Sequence, residues 1–372
     1  MPSSPGMAFP AALVRLRQSL EIGPPNGARD RVDRVLHSDV LYGALTFAMD
    51  ALGLLEEWLQ ATVTGVSPQI RLSSCFPYSS FALFATPPRH LWPPEASVKT
   101  RWKAARFVPL SVLPMLLRSE RLDPERWVAD PVSQCLLPQG KHGSGVPPLR
   151  INVRTAAPVD RITGISNEAT ATACIEFAPG AGMWCMFTAD DIWTERLQSA
   201  LRLIGDNGIG GERSAGWGRF QAPQFETVSL PDFFLKDAGP FSDSSYWMLS
   251  LFRPAEGEPI DWGRGHYTLL NRSGRTMTGY LKPTSQMIEE GSVLFSAAPP
   301  IGASLNVAAS GSAHAIYRFA AAFAIPIPLS ETPDPYNPDE PESPMPPEPS
   351  PEMPPQPEPE PESPGVPPEE NP

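Results

Sequence analysis

Cysteine is scarce in this sequence: Cys75, Cys135, Cys174 and Cys185 are the only four in 372 residues, and no two stand in CxxC spacing. That excludes a disulfide framework and a zinc ribbon; two of the four sit inside apolar runs, such as Met183 to Phe187, as reduced cytosolic thiols do. Also missing is any apolar run of about eighteen residues, and the start has no charged segment followed by an apolar core. No membrane contact is therefore expected, and the reading is of a soluble, cytoplasmic protein. Histidine is limited to five residues, and HExxH, GxSxG or a Cys/His pair with nucleophile spacing do not occur. The acid pairs Asp190-Asp191 and Glu289-Glu290 are adjacent in sequence, so they share no helix face and read as cap or loop residues. Neither a catalytic set, a metal site nor a cofactor is expected.

Basic residues are wholly absent from one region. The last 42 residues, from Glu331, carry 12 of the 41 acids and 18 of the 48 prolines but no Lys or Arg. The formal charge of −12 is thus a property of this tail, and the remainder balances 29 acids against 29 bases. A neutral body can carry a basic groove on one face, so the acidic total does not exclude a polyanionic partner. Segment 330–372 has too little apolar content to offset the cost of ordering and reads as disordered and polyproline-like. It is either a solubilising appendage or an arm for a proline-reading or basic partner.

What is present is a mixed pattern. Leu41, Leu45, Ala48, Leu52, Leu55 and Leu59 recur at helical steps, which predicts one long amphipathic helix capped by Ser38 or Asp39. A second helix is predicted from Asp190 to Ile204, with Ile192, Leu197, Leu201 and Ile204 on one face and Gly205 as its stop. Strand-like runs lie at Ala11 to Leu20, Ala171 to Phe177, Gly182 to Phe187 and Arg219 to Leu230. Strand, helix, strands, helix, strand is the order of a ferredoxin-like βαββαβ unit. The expected fold class is α+β, with two ferredoxin-like (RRM-like) units, the second degenerate. Residues 8–230 form the first, with an inserted lobe at about 66–165 too long for a simple loop; residues 240–329 form a smaller β-rich domain, with runs at Tyr246 to Phe252, His266 to Leu270, Ser292 to Phe295 and Ala315 to Pro328.

The densest chemical signal is Gly205-Asp-Asn-Gly-Ile-Gly-Gly-Glu-Arg-Ser-Ala-Gly-Trp-Gly-Arg-Phe220, which places six glycines in fourteen residues between a helix and a strand. Glycine tolerates positive φ and lets a backbone approach a polyanion, so that successive N–H groups can face phosphate oxygens. Gly208, Gly210, Gly211, Gly216 and Gly218 are candidates for that role. Arg213 and Arg219 add bidentate charge, and Ser214 a hydroxyl. A nucleotide-triphosphate loop is ruled out because Gly211 to Gly216 is followed by Trp217 and Gly218 instead of Lys and Ser or Thr. A dinucleotide fingerprint fails as well, since Arg213 stands where the third glycine belongs and the loop leaves a helix instead of entering one. A glycine-rich connector that merely turns the chain is the other reading.

These residues also resemble a family. GIGGERSAGWGRF is similar to the glycine-rich loop of the RAMP proteins of CRISPR systems. His37-Ser-Asp-Val-Leu-Tyr-Gly-Ala-Leu45 resembles the HSDTLF-type helix start of the fourth Csm subunit, Leu72-Ser-Ser-Cys-Phe-Pro-Tyr78 its SSxFPY segment, and Val159-Asp-Arg-Ile-Thr-Gly164 its DRxTG element. Arg272-Ser-Gly-Arg275 and Glu290-Gly-Ser-Val293 fit further along, so the likeness runs over residues 11–329 in the expected order. Two departures are visible: Leu20-Glu21-Ile22-Gly23 lacks the histidine often found before that glycine, and the acidic tail lies outside the pattern. The resemblance implies a two-lobed, non-enzymatic RNA-binding subunit of a type III-A effector complex in antiviral defence. It would grip the repeat-derived 5′ tag of the crRNA and join the large subunit to the backbone RAMP subunit. Phosphate and tag contacts carry over to Gly210, Gly211, Arg213, Ser214, Gly216 and Arg219, with Arg161, His37 and Ser38 nearby.

Two further features stay open at the level of sequence. Lys99, Arg101, Trp102, Lys103, Arg106 and Phe107 combine charge with aromatic planes, as a single-strand binding surface does; a basic face for a protein partner and an ordinary solvated run are equal readings. His37 is either the general base of a repeat-processing, metal-independent endoribonuclease or a packing histidine that orders Ser38 and Asp39.

Overall fold

A strand that is apolar at every position must be covered on both faces, and Gly182–Thr188 is such a strand. The structure, a computed structural model, describes residues 9–328 except 17–31, 95–98, 140–144, 158, 167–168, 214–215, 231, 236–243, 277–280, 310–311 and 313. The predicted disorder of the tail therefore falls outside the described residues. Along the chain run β1 (Phe9–Leu16), α1 (Ser38–Ala51), α2 (Leu55–Leu59), β2 (Arg71–Leu72), β3 (Phe76–Tyr78), β4 (Phe84–Ala85), α3 (Lys99–Trp102), β5 (Val108–Pro109) and α4 (Leu113–Leu117). There follow β6 (Trp127–Ala129), β7 (Leu136–Pro138), β8 (Leu149–Ala156), β9 (Thr170–Phe177), β10 (Gly182–Thr188), α5 (Asp191–Asn207), β11 (Gln224–Leu230) and α6 (Asp232–Leu235). The last stretch holds β12 (Ser245–Met248), β13 (Ile260–His266), β14 (Leu269–Arg272), β15 (Ser285–Ile288), β16 (Val293–Ser296), β17 (Leu305–Asn306), β18 (Tyr317–Arg318) and β19 (Ala324–Pro326).

The architecture is mixed α/β with small antiparallel sheets. The largest has the order β11-β1-β10-β2, with β3 also paired to β10. Val14 lies opposite Cys185 on one side and Phe225 on the other. One expectation is corrected here. The run Ala171–Phe177 does not join this sheet; it forms a separate hairpin with β8, in register from Leu149↔Phe177 to Ala156↔Thr170. Its place beside β10 is taken by β2 and β3, which are too short to show a period-two pattern. A second sheet, β13-β16-β12-β19, is built from the C-terminal segment.

The helix boundaries are corrected too. α1 ends at Ala51 because Gly53 adopts φ 73°, a left-handed stop. Leu55 and Leu59 begin and end the separate α2. The cap of α1 is His37, not Ser38 or Asp39, and it caps without a side-chain bond. α5 starts as predicted, Asp190 accepting the Trp193 amide at 2.8 Å, but continues past Gly205 to Asn207. Gly205 lies inside the helix because Phe220 packs on it: a Cβ there would sit 3.0 Å from the Phe220 carbonyl oxygen.

Burial follows strand alternation. Val14, Leu16, Met183, Cys185 and Phe187 pack under α1 and α5 with Leu41, Leu45, Leu197, Leu201 and Ile204. Leu13, Trp184 and Met186 point to the opposite face, into a cluster that also holds Phe84, Trp102 and Phe107 of the insertion and Trp247, Val293 and Ile325 of the C-terminal segment. The face on which RRM proteins stack bases is therefore filled with side chains. The four cysteines are buried and none forms a disulfide. Among the described residues no helix is long and apolar enough to cross a membrane.

Trp184 joins the sheet to the insertion, its indole N–H donating to the Phe84 carbonyl at 2.8 Å while its ring meets Phe76 and Phe234. Trp184→Phe keeps most of the apolar volume but leaves that carbonyl unpaired in the core. We expect a loss of about 2 kcal/mol in urea unfolding; an unchanged midpoint would show that the bond contributes nothing to the joint.

Candidate nucleic-acid interface

The glycine-rich loop leaves α5 and is closed at its base by backbone pairs. Phe220 N–H donates to Gly205 at 3.1 Å, Ile209 N–H to Gly218 at 3.1 Å, and Gly208 N–H to Ile204 at 2.7 Å. Ile209 and Phe220 are buried in the cluster under α1 and α5. Gly208 (φ 84°) and Gly218 (φ 73°) make this closure possible, since a Cβ would stand 2.4 Å from the Trp217 carbonyl oxygen or 1.9 Å from that of Ile209. Both glycines are buried, and the expectation that they contact RNA is corrected: they let the two limbs of the stem touch.

The tip is different. Gly211, Gly216 and Arg219 are exposed, and Gly210 and Arg213 half-buried; Ser214 lies outside the described residues. Among the described residues neither Arg213 nor Arg219 forms an ion pair with a carboxylate. Instead the Arg213 guanidinium sits 5.5 Å from the centroid of Phe47 on α1, an attraction of cation and ring. Two amides of the tip are used internally, Gly216 N–H to Arg213 at 2.9 Å and Trp217 N–H to Glu212 at 3.4 Å.

The structure adds a neighbour that the sequence does not reveal. Arg154 of β8 places its guanidinium 5.5 Å from the Trp217 ring, so the β8–β9 hairpin stands beside the loop. Arg154 and Arg150 both grip Glu176, at 3.0 and 2.7 Å, and Asn152 donates to the same carboxylate at 3.1 Å. The polar period-two spacing of Arg150, Asn152 and Arg154 was the available signal. At the far end of the hairpin, Asp160 accepts the amides of Ile162 and Thr163 at 2.8 and 2.9 Å. That turn presents Arg161 to solvent and leaves Ile162 96% exposed.

His37 and Ser38 are not at this surface. His37 is 2% exposed and Ser38 fully buried, so the reading of them as RNA contacts is corrected. His37 Nδ1 lies 2.8 Å from Glu290 Oε1 and Nε2 2.9 Å from Asp33 Oδ2. Burial alone would depress its pKa, but the Glu290 charge and hydrogen bonds to Asp33 and Glu290 overcome this and raise it to about 9. The imidazolium is the centre of a larger array. Arg106 reaches Asp33 at 3.0 Å and Glu289 at 2.8 Å. Asp39 in the first turn of α1 takes a bidentate grip from Arg272 at 2.8 and 3.0 Å, with Arg318 behind it at 3.9 Å. Ser74 donates to Glu290 Oε1, and Glu290 Oε2 has no hydrogen-bond partner among the described residues. These charges tie the start of α1, the insertion and the C-terminal segment together.

The basic aromatic cluster of the insertion resolves into the same framework. Trp102 and Phe107 are fully buried, Arg106 belongs to the array, and Arg101 pairs with Glu125 at 3.2 Å. Lys103 is exposed and forms no ion pair with another described residue. A shallow recess of about 390 Å³ where β1, β3 and β11 meet is lined by Arg15, Tyr78, Ser79, Phe81, Gly180 and Gln224; Arg15 there pairs with Glu226 at 3.2 Å. Among the described residues no group of three or more His, Cys, Asp or Glu side chains is placed to hold a metal.

Comparison with known proteins gives this arrangement its class. Residues 242–327 match the CRISPR Csm4 C-terminal domain family. The protein described as CRISPR system Cms protein Csm4 of Thermococcus onnurineus (strain NA1) is 24% identical over 310 residues, covering 79% of this chain and 92% of that protein. Among solved structures, a chain of the Csm3–Csm4 subcomplex of the type III-A CRISPR-Cas interference complex superposes with TM-score 0.58 at 15% identity, over 86% of this chain and all of that one. A chain of the Csm1–Csm4 cassette in complex with cA4 gives 0.53 at 19% identity, over 87% and 99%. The fold is thus that of subunits of CRISPR effector complexes. Within that class, the chain is similar to Csm4, by family over its residues 242–327 and by sequence over most of its length.

Two outcomes are expected. Gly218→Ala drives a methyl group into the Ile209 carbonyl and should open the loop stem, costing more than about 1 kcal/mol; wild-type stability would show that the stem adapts freely. His37→Gln removes the charge that balances Asp33 and Glu290 and should cost about 3–5 kcal/mol. In the parent protein the raised His37 pKa adds stability that is complete below its ordinary value of 6.5 and lost as pH climbs through about 9. Asp33, Asp39 and Glu290 are held below their ordinary range, net of the opposing effect of burial, so their share is lost on acidification. Urea midpoints should decline from pH 6.5 towards 9 in the parent and much less in His37→Gln; parallel profiles would remove His37 from the account.

Proposed function

We propose that this chain is a non-catalytic, RNA-binding subunit of a type III-A CRISPR ribonucleoprotein, which holds the repeat-derived 5′ tag of the crRNA at the tip of the glycine-rich loop. The observation that carries this reading is the loop itself: a rigidly closed stem that presents exposed glycines and two guanidinium groups with no carboxylate partner among the described residues. Amides and arginines so arranged suit a sugar–phosphate chain. The strand order β11-β1-β10-β2, with α1 and α5 packed on one face, supports a ferredoxin-like first unit; the β12–β19 region is a degenerate second one. Relatives of the same fold were solved with Csm3 and with Csm1, which supports a place between a backbone RAMP subunit and the large subunit, in the cytoplasm, in antiviral defence.

The rival reading, a repeat-processing endoribonuclease with His37 as general base, requires an imidazole that is accessible and neutral. His37 is enclosed between two carboxylates and its pKa is raised, which favours the scaffold.

Binding of labelled tag RNA to the full chain tests the proposal. Arg213→Ala with Arg219→Ala should weaken it about tenfold or more and flatten the slope of log K against log salt by about 0.7 per lost phosphate contact. An unchanged affinity and slope would take the loop out of the site. The parent protein should return repeat RNA intact after prolonged incubation; cleavage that scales with protein and survives repurification would establish the enzyme instead. His37 variants cannot decide this, because they disturb the fold.

A further inference from the structure

The surface that stacking chemistry calls for lies elsewhere, on the edge of the second sheet. β13 pairs only with β16, and its register slips: Asp261 faces Phe295 and His266 faces Val293. Four residues of β13, Trp262 to Gly265, thus stand opposite the single residue Leu294, so the segment must bulge from the ladder. Bulges re-aim side chains, and this one turns an aromatic outward: Trp262 is 41% exposed and Tyr267 36%. Their rings meet edge to face, with centroids 5.4 Å apart and planes at 75°. Arg264, between them in sequence, has its guanidinium carbon 4.2 Å from the centroid of the Phe295 ring while the residue stays exposed. His266 stacks at 5.3 Å and 22° on His90.

Packing does not explain Trp262, because a Trp needed for the core would be buried, as Trp58, Trp102, Trp184 and Trp247 are. The flanking glycines keep the approach clear: nothing but the Asp261 carboxylate, at 3.5 Å, comes near a Cβ built at Gly263, and at Gly265 a Cβ would crowd the Tyr267 ring at 3.0 Å. Asp261, the nearest acid in sequence, has its Oδ1 turned to the amides of Gly263 and Arg264 at 3.1 and 3.4 Å. Exposed aromatic planes beside a flat guanidinium, on a segment without aliphatic side chains, are what successive bases stack on in single-strand binders.

We propose that the β13 bulge, through Trp262, Tyr267 and Arg264, is a base-stacking platform for single-stranded RNA, distinct in residues from the glycine-rich loop. It rests on the reading that this chain takes RNA, and adds to it a second contact, one that grips bases instead of phosphates. The platform reads π-faces, so it is tolerant of sequence.

The test uses the full chain and a single-stranded RNA oligonucleotide carrying 4-thiouridine. Irradiation followed by peptide mapping should give cross-links within 261–267. Trp262→Ala should weaken binding about tenfold and Trp262→Phe, which keeps a π-face, should restore most of it; both should unfold like the parent, since the side chain is exposed. Cross-links confined to 205–219, with Trp262→Ala binding normally, would overturn the platform and leave the loop site standing. No cross-link and no binding would remove the RNA reading itself and the platform with it. Shielding of Trp262 by a partner polypeptide, with no cross-link to RNA, would overturn the proposal in favour of a protein-docking surface.

Discussion

The double burial of the central sheet constrains everything else in this molecule. Because β1 and β10 send alternate side chains into two separate apolar clusters, neither face of the sheet is left for a ligand. What projects beyond it is the glycine-rich loop at the end of α5, the β8–β9 hairpin, and the edge of the C-terminal sheet. RNA-binding modules commonly use an open sheet face; here both faces are covered, and one of them is the joint between segments far apart in sequence. The apolar content of Gly182–Thr188 is the visible sign of this choice.

The second structural theme is the array around His37. Asp33, His37, Asp39, Ser74, Arg106, Arg272, Glu289, Glu290 and Arg318 come from distant parts of the chain and meet where α1 begins. Such buried charge is costly to desolvate and contributes little net stability over an apolar substitute, while removal of one member is expensive. Through His37 and Asp39, the sequence HSD at the start of α1 links segments far apart in the chain.

How much of this was legible beforehand depended on whether the signal was local. The start of α5, the glycine-rich loop and the strand Gly182–Phe187 were readable because periodicity, capping and composition are written in adjacent residues, whereas the cap of α1 falls on His37, one residue before the predicted Ser38. Gly205 misled because a glycine inside a helix can serve packing against Phe220 as well as termination. Ala171–Phe177 was assigned to the wrong sheet because β8, its true partner, is largely exposed and polar and carries no strong strand pattern. The cluster Trp102–Phe107 stayed open between a stacking surface, a partner face and a solvated run since hydrophobic payload and stacking surface use the same residues, and only burial tells them apart. Arg154 was legible only as one member of the polar alternation Arg150, Asn152 and Arg154, since its relation to Trp217 is purely tertiary.

The closure of the loop stem has one more consequence. Ile209 and Phe220 belong to the same cluster as the helices that shape the domain, so the base of the loop is set when the chain folds and little ordering of that stem is left for a ligand to impose. Occupancy and integrity then become linked quantities: whatever binds the tip binds only the folded chain, and the unfolding temperature rises with its concentration as mass action requires. Heat resistance thereby becomes a gauge of occupancy for any ligand that takes the tip.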